Sequence, residues 1–372
     1  MPIKIHLALT PSNLTEVEFY LDTPQNDHRP VFLSGTFNQW CEADPTFEMQ
    51  RIGEGKYHFR LQTDHRHPLF YSYHKGDWNQ EELDDWGNVP EKRKIDRNVR
   101  EIRDHVPRWR MNGLAGSTQF MPQKFIIEDD FEIPQLGKRR RCWALVPHDY
   151  YQTKKRYPVL YLQDAQNLFN EHAPFGNWAI DQKLSILKEM GIGDLIIIAI
   201  EHGGRDRIKE YSPFATEKFG PGEGALYAKF IVETLKPYVD KKFRSLPHRI
   251  HTGIGGSSMG GLISVYTAIN YPAIFSKWMI FSPSFWLSSE IFKEAKKFDN
   301  NEPSFVYLYG GRKESALMEQ QLKSFTEILA NKALDNRYIY YKLSLHPTAK
   351  HHEADWGAEF PKAVKWLFFD NE

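Results

Sequence analysis

The chemistry in this chain is easiest to find at one serine. In Gly253-Ile254-Gly255-Gly256-Ser257-Ser258-Met259-Gly260-Gly261, the spacing Gly256-x-Ser258-x-Gly260 is that of a nucleophile elbow. In such a turn the serine is held strained between a strand and a helix, so its hydroxyl projects clear of the backbone. Side chains at Gly256 and Gly260 would collide with the neighbouring strand and helix. The N–H of Met259, at the start of the helix, can donate to a developing oxyanion. A Gly/Ser-rich loop is the plain alternative. The apolar β-like run before the turn and the helix-like run after it favour the elbow.

A serine hydroxyl is a poor nucleophile without a base, an orienting acid and an oxyanion hole. When an elbow ends a strand of an α/β sheet, the acid and the histidine follow it in the chain. Downstream, His351-His352-Glu353-Ala354-Asp355-Trp356 fills the last strand-to-helix loop, and His346 is a rival base. A surface histidine pair is the alternative, and a metal site is not expected because no HExxH spacing exists. The strand at 305–309 ends in Gly310-Gly311-Arg312-Lys313-Glu314, which puts Glu314 one loop beyond it, where the acid is needed. A helix N-terminal Glu answering the macrodipole is the competing account. A second oxyanion donor is expected from Gln163-Asp164-Ala165-Gln166-Asn167-Leu168-Phe169, where the small Ala165 permits a tight turn. The backbone amides of Gln166 and Met259 are therefore the expected pair. Asn167, Trp178, Arg207 and Trp286 lie on loops of the same side and are the expected substrate contacts, loop packing being the other use for them.

These residues need a scaffold, and the chain divides near residue 105. Before it, 31–35, 56–61 and 69–74 read as strands, with turn signals at Gly53-Glu54-Gly55 and Trp86-Gly87-Asn88 and no convincing helix. An antiparallel sandwich over 1–105 follows, then a Pro/Gly-punctuated linker at 106–123. From 124 to 372 strands alternate with helices. Strands are expected at 141–146, 157–162, 195–200, 249–254, 278–281, 305–309 and 338–345. Helices are expected at 180–190, 227–239, 259–270, 317–329 and 361–369. Continuous apolar strands separated by helices predict a mostly parallel central sheet covered on both faces. In such sheets the site lies beyond the carboxyl ends of the strands, where every candidate above falls.

Composition narrows the function. At 372 residues, two domains are the natural division. Lys+Arg and Asp+Glu are both 48, so no net charge draws the chain to nucleic acid or an anionic membrane. Arg139-Arg140-Arg141 reads as a solvated strand end. Aromatics at 14%, with 10 Trp, suit a protein that offers flat faces to sugars or aromatic groups. Only Cys41 and Cys142 occur, which excludes a disulfide framework and a cysteine metal site. Met1-Pro2-Ile3-Lys4-Ile5-His6 lacks the features of a secretory leader, and the longest apolar run, 195–200, is far short of a membrane span. A cytoplasmic protein is expected, with no cofactor and an ester, small or oligosaccharide-borne, as its partner.

At this level the second domain resembles the esterase D / enterochelin-esterase-like group of α/β-hydrolases, which includes feruloyl and acetyl esterase domains. The resemblance rests on Tyr157-Pro158-Val159-Leu160-Tyr161-Leu162-Gln163-Asp164-Ala165-Gln166-Asn167-Leu168-Phe169, Gly176-Asn177-Trp178-Ala179-Ile180-Asp181 and Glu210-Tyr211-Ser212-Pro213-Phe214. The elbow, Phe281-Ser282-Pro283-Ser284-Phe285-Trp286, Gly311-x-x-Glu314 and His351-x-Glu353-x-x-Trp356 complete it. It implies an α/β-hydrolase fold and a Ser258–His351–Glu314 triad, His351 being selected because the family's histidine stands five residues before that tryptophan. The family usually has Asp-Gly-Gln at Asp164-Ala165-Gln166 and Gly-His-Asn at Lys350-His351-His352. The first domain resembles immunoglobulin-like starch- and glycogen-binding modules through Val31-Phe32-Leu33-Ser34-Gly35-Thr36-Phe37-Asn38-Gln39-Trp40 and Tyr71-Ser72-Tyr73-His74-Lys75-Gly76-Asp77-Trp78. Trp78 and Trp86 are its candidate sugar platforms. Three functions follow in order: an esterase acting on acetyl or feruloyl esters of carbohydrates, a hydrolase of catecholate siderophore lactones, and a non-catalytic glycan-binding protein.

Overall fold

The computed structural model describes residues 15–370 apart from 25–26, 64–67, 171, 217–218, 300 and 337. The N-terminal hexapeptide from which the absence of a leader was read lies outside the described residues. The chain forms two compact units, Met1–Gly116 and Ser117–Glu372.

The first unit is built from strands alone, joined by short 3-10 turns. β1 (Thr15–Asp22), β2 (Phe32–Gly35), β3 (Gln50–Gly53), β4 (Lys56–Thr63), β5 (Leu69–His74), β6 (Glu82–Leu83), β7 (Arg93–Ile95), β8 (Glu101–His105) and β9 (Arg108–Trp109) form it. They assemble as sheets in the orders β3-β4-β1-β8 and β2-β5-β7, with β6 paired to β9. In β1 the buried residues are Val17, Phe19 and Leu21, the period-two pattern of a strand with one face inward. They pack with Val31, Leu33, Tyr71 and Tyr73 in one core. The span 106–123 is not a bare linker. Val106 and Trp109 are buried in this core, and β9 pairs with β6. Its Pro and Gly residues mark turns between paired segments rather than a free tether.

The second unit carries one eight-stranded sheet. Its strands are β10 (Gln123–Ile133), β11 (Lys138–Val146), β12 (Val159–Gln163), β13 (Ile196–Ile200), β14 (Thr252–Ser257), β15 (Lys277–Phe281), β16 (Ser304–Gly311) and β17 (Ile339–His346). Their order is β10-β11-β13-β12-β14-β15-β16-β17. The β10–β11 and β11–β13 pairs are antiparallel, and every later pair is parallel. Helices α1 (Ile180–Glu189), α2 (Arg207–Glu210), α3 (Gly224–Phe230), α4 (Lys236–Lys242), α5 (Met259–Asn270), α6 (Glu290–Lys297), α7 (Met318–Asn336) and α8 (Glu353–Phe368) connect the strands. β12 to β16 are buried along their whole length, as expected of parallel strands covered on both faces. This is the α/β-hydrolase architecture. Among the described residues, no helix is long and apolar enough to cross a membrane.

β10, α2 and α6 have no counterpart in the expected elements, and three further elements depart from the sequence pattern. The expected helix 227–239 is divided into α3, a π-helical turn (Ile231–Leu235) and α4, and the wide turn comes just before Pro237, which has no N–H to continue the α ladder. Residues 249–251 form a 3-10 turn, so the elbow strand starts only at Thr252. The last helix begins at Glu353 rather than at Pro361, which sits inside it. His352 caps it by accepting the Ala354 N–H at its Nδ1 (3.1 Å), a start signal outside the usual Ser/Thr/Asp/Asn set. The basic run also divides: Arg139 and Arg141 pair with Asp130 and Asp129, while Arg140 turns inward to the fully buried Glu210.

Candidate active site

Ser258 stands between β14 and α5 with φ 56° and ψ −120°, a strained conformation for a residue bearing a Cβ. The surrounding backbone fixes it. Its N–H donates to Phe281 O (3.0 Å), and its carbonyl accepts from Leu262 N (3.1 Å) and Ser284 N (3.0 Å). The flanking glycines are a steric need: a Cβ at Gly256 would lie 3.0 Å from the Gly260 carbonyl carbon, and one at Gly260 would lie 2.8 Å from Asp164 Oδ2.

The three residues expected to act together meet in one hydrogen-bonded line. Ser258 Oγ is 3.1 Å from His351 Nε2, and His351 Nδ1 is 2.7 Å from Glu314 Oε2. The Glu314 side chain is 1% exposed, whereas that of His351 is 41% exposed and open to a ligand. A carboxylate on Nδ1 fixes the proton there and leaves Nε2 as an acceptor facing the serine, the tautomer a general base requires. His346 does not take this place; its Nδ1 accepts from the Ala349 N–H (3.2 Å). His352 is occupied in capping α8.

Met259 and Gln166 both lie at helix starts, where N–H groups have no acceptor within their own turn. Met259 is the first residue of α5. Gln166 is in the 3-10 turn (Ala165–Asn167) that follows Asp164, whose φ of 60° turns the chain sharply out of β12. The Gln166 side chain pins this loop, donating to His202 O (3.1 Å) and accepting from His202 N (3.0 Å). Ala165 in place of glycine is fully buried there.

The expected substrate contacts separate into two groups. Trp286 is 57% exposed, two residues beyond Ser284, whose hydroxyl is 3.2 Å from Ser258 Oγ. Asn167 Nδ2 donates to Glu353 Oε1 (3.2 Å). Trp178, by contrast, is 2% exposed and stacked on Phe281, so it is a core residue. Arg207 is held bidentately by Asp164 (2.6 and 2.8 Å). Burial opposes its charge, but the Asp164 carboxylate overcomes this and keeps its pKa above the usual guanidinium value. Its fork is spent inside the protein. Periodicity offers no means of seeing either outcome, because both depend on what folds over the loop.

Sequence reasoning also missed functional neighbours. Ser282, at φ 43°, donates from Oγ to Glu314 Oε1 (2.6 Å) and accepts from Trp356 Nε1 (2.8 Å). Glu353, in the first turn of α8, is 8% exposed, and burial raises its pKa above the usual carboxylate value. Beside the Gln166 loop lies a cleft of about 580 Å³ whose lining includes Trp143, Phe169, Asn177, Lys124 and Arg141. Its cations are answered: Lys124 by Asp181 (3.1 Å) and Arg141 by Asp129 (2.8 Å). Among the described residues, no group of three or more His, Cys, Asp or Glu side chains could hold a metal ion.

With this geometry stands a consistent set of likenesses. The family model Esterase ("Putative esterase") matches residues 133–367. Uncharacterized protein YbbA of Bacillus subtilis (strain 168) is 24% identical over 248 residues, covering 62% of this chain and 94% of its own. An endo-1,4-beta-xylanase/feruloyl esterase of Xylanibacter ruminicola is 25% identical over 165 residues, 42% of this chain and 21% of that protein. The crystal structure of the enterobactin esterase FES from Shigella flexneri, determined in the presence of 2,3-di-hydroxy-N-benzoyl-serine, superposes with a TM-score of 0.53 at 14% identity. It covers 97% of this chain and 94% of its own.

Proposed function

The chain belongs to the esterase family whose model it matches over residues 133–367, and within that family of carboxylic ester hydrolases we propose that Ser258, His351 and Glu314 are its catalytic triad. The observation that carries this reading is the unbroken line from Ser258 Oγ through both imidazole nitrogens to Glu314 Oε2, at 3.1 and 2.7 Å. His351 Nε2 takes the Ser258 proton as Oγ attacks the ester carbonyl carbon. The Met259 and Gln166 amides receive the oxyanion. When the carbonyl carbon–oxygen bond to the alcohol breaks, His351 returns the proton to the departing oxygen, leaving an acyl group on Ser258. Water then gives a proton to His351, attacks the acyl carbon and releases the acid, and the proton returns to Ser258.

For the substrate we put first an acetyl or feruloyl ester of a carbohydrate. Trp143, half-buried in the cleft beside Gln166, offers aromatic surface, and the cations there are already paired, which suits a neutral ligand. The similarity over 42% of the chain to a xylanase/feruloyl esterase supports the same class. A catecholate siderophore lactone is the second reading, favoured by likeness to the enterobactin esterase along nearly the whole chain. The N-terminal unit weakens the glycan-binding reading. Trp78 packs at 6.2 Å on Trp40, and Lys92 sits over both rings, covering surface that a sugar would use.

The test is hydrolysis of p-nitrophenyl acetate, methyl ferulate, an acetylated xylo-oligosaccharide and ferric enterobactin by wild type and Ser258→Ala. Serine-dependent turnover is expected, with the sugar ester or ferulate preferred; preference for enterobactin selects the second reading. Equal rates for the two proteins, or none, would overturn the Ser258 mechanism for these esters.

A further inference from the structure

Behind the triad lies a second line of hydrogen bonds whose direction can be deduced. Trp356 Nε1 is 2.8 Å from Ser282 Oγ, which is 2.6 Å from Glu314 Oε1. An indole nitrogen can only donate. Ser282 Oγ must therefore accept from Trp356, and its own proton points at the carboxylate. Ser282 is fully buried and Trp356 is 3% exposed, so no water competes for these groups. Glu314 Oε1 takes a further bond from the Gly311 N–H. One carboxylate oxygen is thus filled by two donors, and only the other faces His351.

The backbone is bent to make this arrangement. Ser282 directly follows β15 and adopts φ 43°, sparsely populated for a residue with a side chain. Its N–H donates to Tyr309 O at 2.7 Å, which anchors the turn to β16. Trp356 also meets the base itself: its ring lies 4.8 Å from the His351 imidazole at 87°. One tryptophan therefore contacts the histidine directly and the acid through one hydroxyl.

We propose that Ser282 and Trp356 are positioning residues of the triad, Trp356 orienting the Ser282 hydroxyl and Ser282 locking the Glu314 carboxylate so that Oε2 stays on His351 Nδ1. The inference rests on the catalytic assignment above. It goes beyond it in giving a function to a strained serine and a buried tryptophan that touch no substrate. Glu314 is 1% exposed and cannot recruit solvent to replace a lost donor, so once Ser282 is removed the Gly311 N–H alone is left on Oε1 and the carboxylate is held less firmly.

The test measures p-nitrophenyl acetate kinetics and the low-field Nδ1 proton resonance of His351 in wild type, Ser282→Ala, Trp356→Phe and the double variant. Phenylalanine keeps a ring beside His351 and removes the N–H together with part of the buried indole, so melting curves accompany the kinetics. For Ser282→Ala, kcat should fall about tenfold or more, the scale of a hydrogen bond to a charged group. KM should stay within about twofold, and the resonance should move or broaden. Trp356→Phe should move the same signals by less. The double variant should be no worse than Ser282→Ala alone, because the tryptophan acts through the serine. Unchanged kcat and an unmoved resonance in Ser282→Ala, or a loss wholly in KM, would overturn the proposal. Additive losses would overturn the route through Ser282. Should alanine prevent folding, Ser282→Gly suits the positive φ and serves instead. If Ser258→Ala retains wild-type hydrolysis, the catalytic assignment fails, and the resonance, which needs no substrate, still decides whether Ser282 and Trp356 hold the Glu314–His351 pair.

Discussion

Asn167 and Glu353 tie the loop after β12 to the first turn of α8: Asn167 Nδ2 donates to Glu353 Oε1 at 3.2 Å. One of these segments carries the Gln166 amide, and the other begins two residues after His351. A hydrogen bond thus spans the two sides of the site proposed to contribute an oxyanion donor and a base.

Glu353→Gln keeps an acceptor for Asn167 and should hold kcat within a few fold, whereas Glu353→Ala unties the loop from α8 and should lower kcat about tenfold. The pH dependence has a definite sign. Burial raises the folded pKa of Glu353 above its unfolded value, with His352 and His351 opposing and Asp164 adding to the shift. Its contribution to stability is full below the unfolded pKa and is lost as pH rises through the folded one. Glu353→Gln should therefore gain in melting temperature relative to wild type as pH rises above the ordinary carboxylate range, and the two should converge in acid. Parallel curves from acid to neutral pH would remove the buried carboxyl from the account.

The two adjacent histidines should separate cleanly. His351→Ala removes the proposed base and should cost about 10³-fold or more in kcat. His352→Ala removes the α8 cap, in which Nδ1 accepts the Ala354 N–H, and should cost about 1 kcal/mol of stability with most activity retained. Melting curves beside kcat on one ester check both. The reverse pattern would mean that the catalytic loop is used in another register.

How much of this was legible in the sequence depends on whether the cause was local. The elbow was readable because its small-Ser-small spacing is local, Gly256 answering the Gly260 backbone, although Gly260 itself makes room for Gln163 and Asp164 far away in the chain. β12, β13, β15 and β16 were readable because strands buried on both faces are mostly apolar. The start of α8 was not. Pro361 mimics a helix start, and the cap is a histidine. The packing of Trp178 on Phe281 and of Arg207 on Asp164 was not legible because those partners lie 103 and 43 residues away in the chain. Ser282 gave no signal, since a positive φ in a serine is imposed by the strands beside it.

The N-terminal unit should be sensitive to acid through His74. Its Nδ1 accepts the Gly76 N–H (3.2 Å), so the neutral ring carries its proton on Nε2 and donates it to Ser34 Oγ (2.7 Å). Burial is the main reason its pKa is pushed down to about 4, with Lys92 adding to the effect and Asp77 opposing it. A depressed folded pKa contributes stability above the unfolded value that is lost as pH falls toward the folded one. Between about pH 6.5 and pH 4 this unit should lose roughly 2 kcal/mol, and His74→Gln should flatten the loss. Urea unfolding followed by tryptophan fluorescence across that range measures it; an unchanged slope in the variant would assign the acid sensitivity elsewhere.

Arg207 provides the sharpest separation of structure from recognition. Its guanidinium lies against an Asp164 side chain only 6% exposed, and Asp164 Oδ2 is also the atom that a Cβ at Gly260 would strike. Arg207→Ala leaves that carboxylate buried without its partner, which should cost about 3 kcal/mol or more. Arg207→Lys should recover only part, because an ammonium cannot reproduce two parallel hydrogen bonds. Asp164→Asn combined with Arg207→Ala should be more stable than Arg207→Ala alone, since the unpaired charge is gone. KM should move little in any variant that folds. A large rise in KM at wild-type stability would instead return Arg207 to the substrate, and the ion pair with Asp164 would then be a resting state that the ligand breaks.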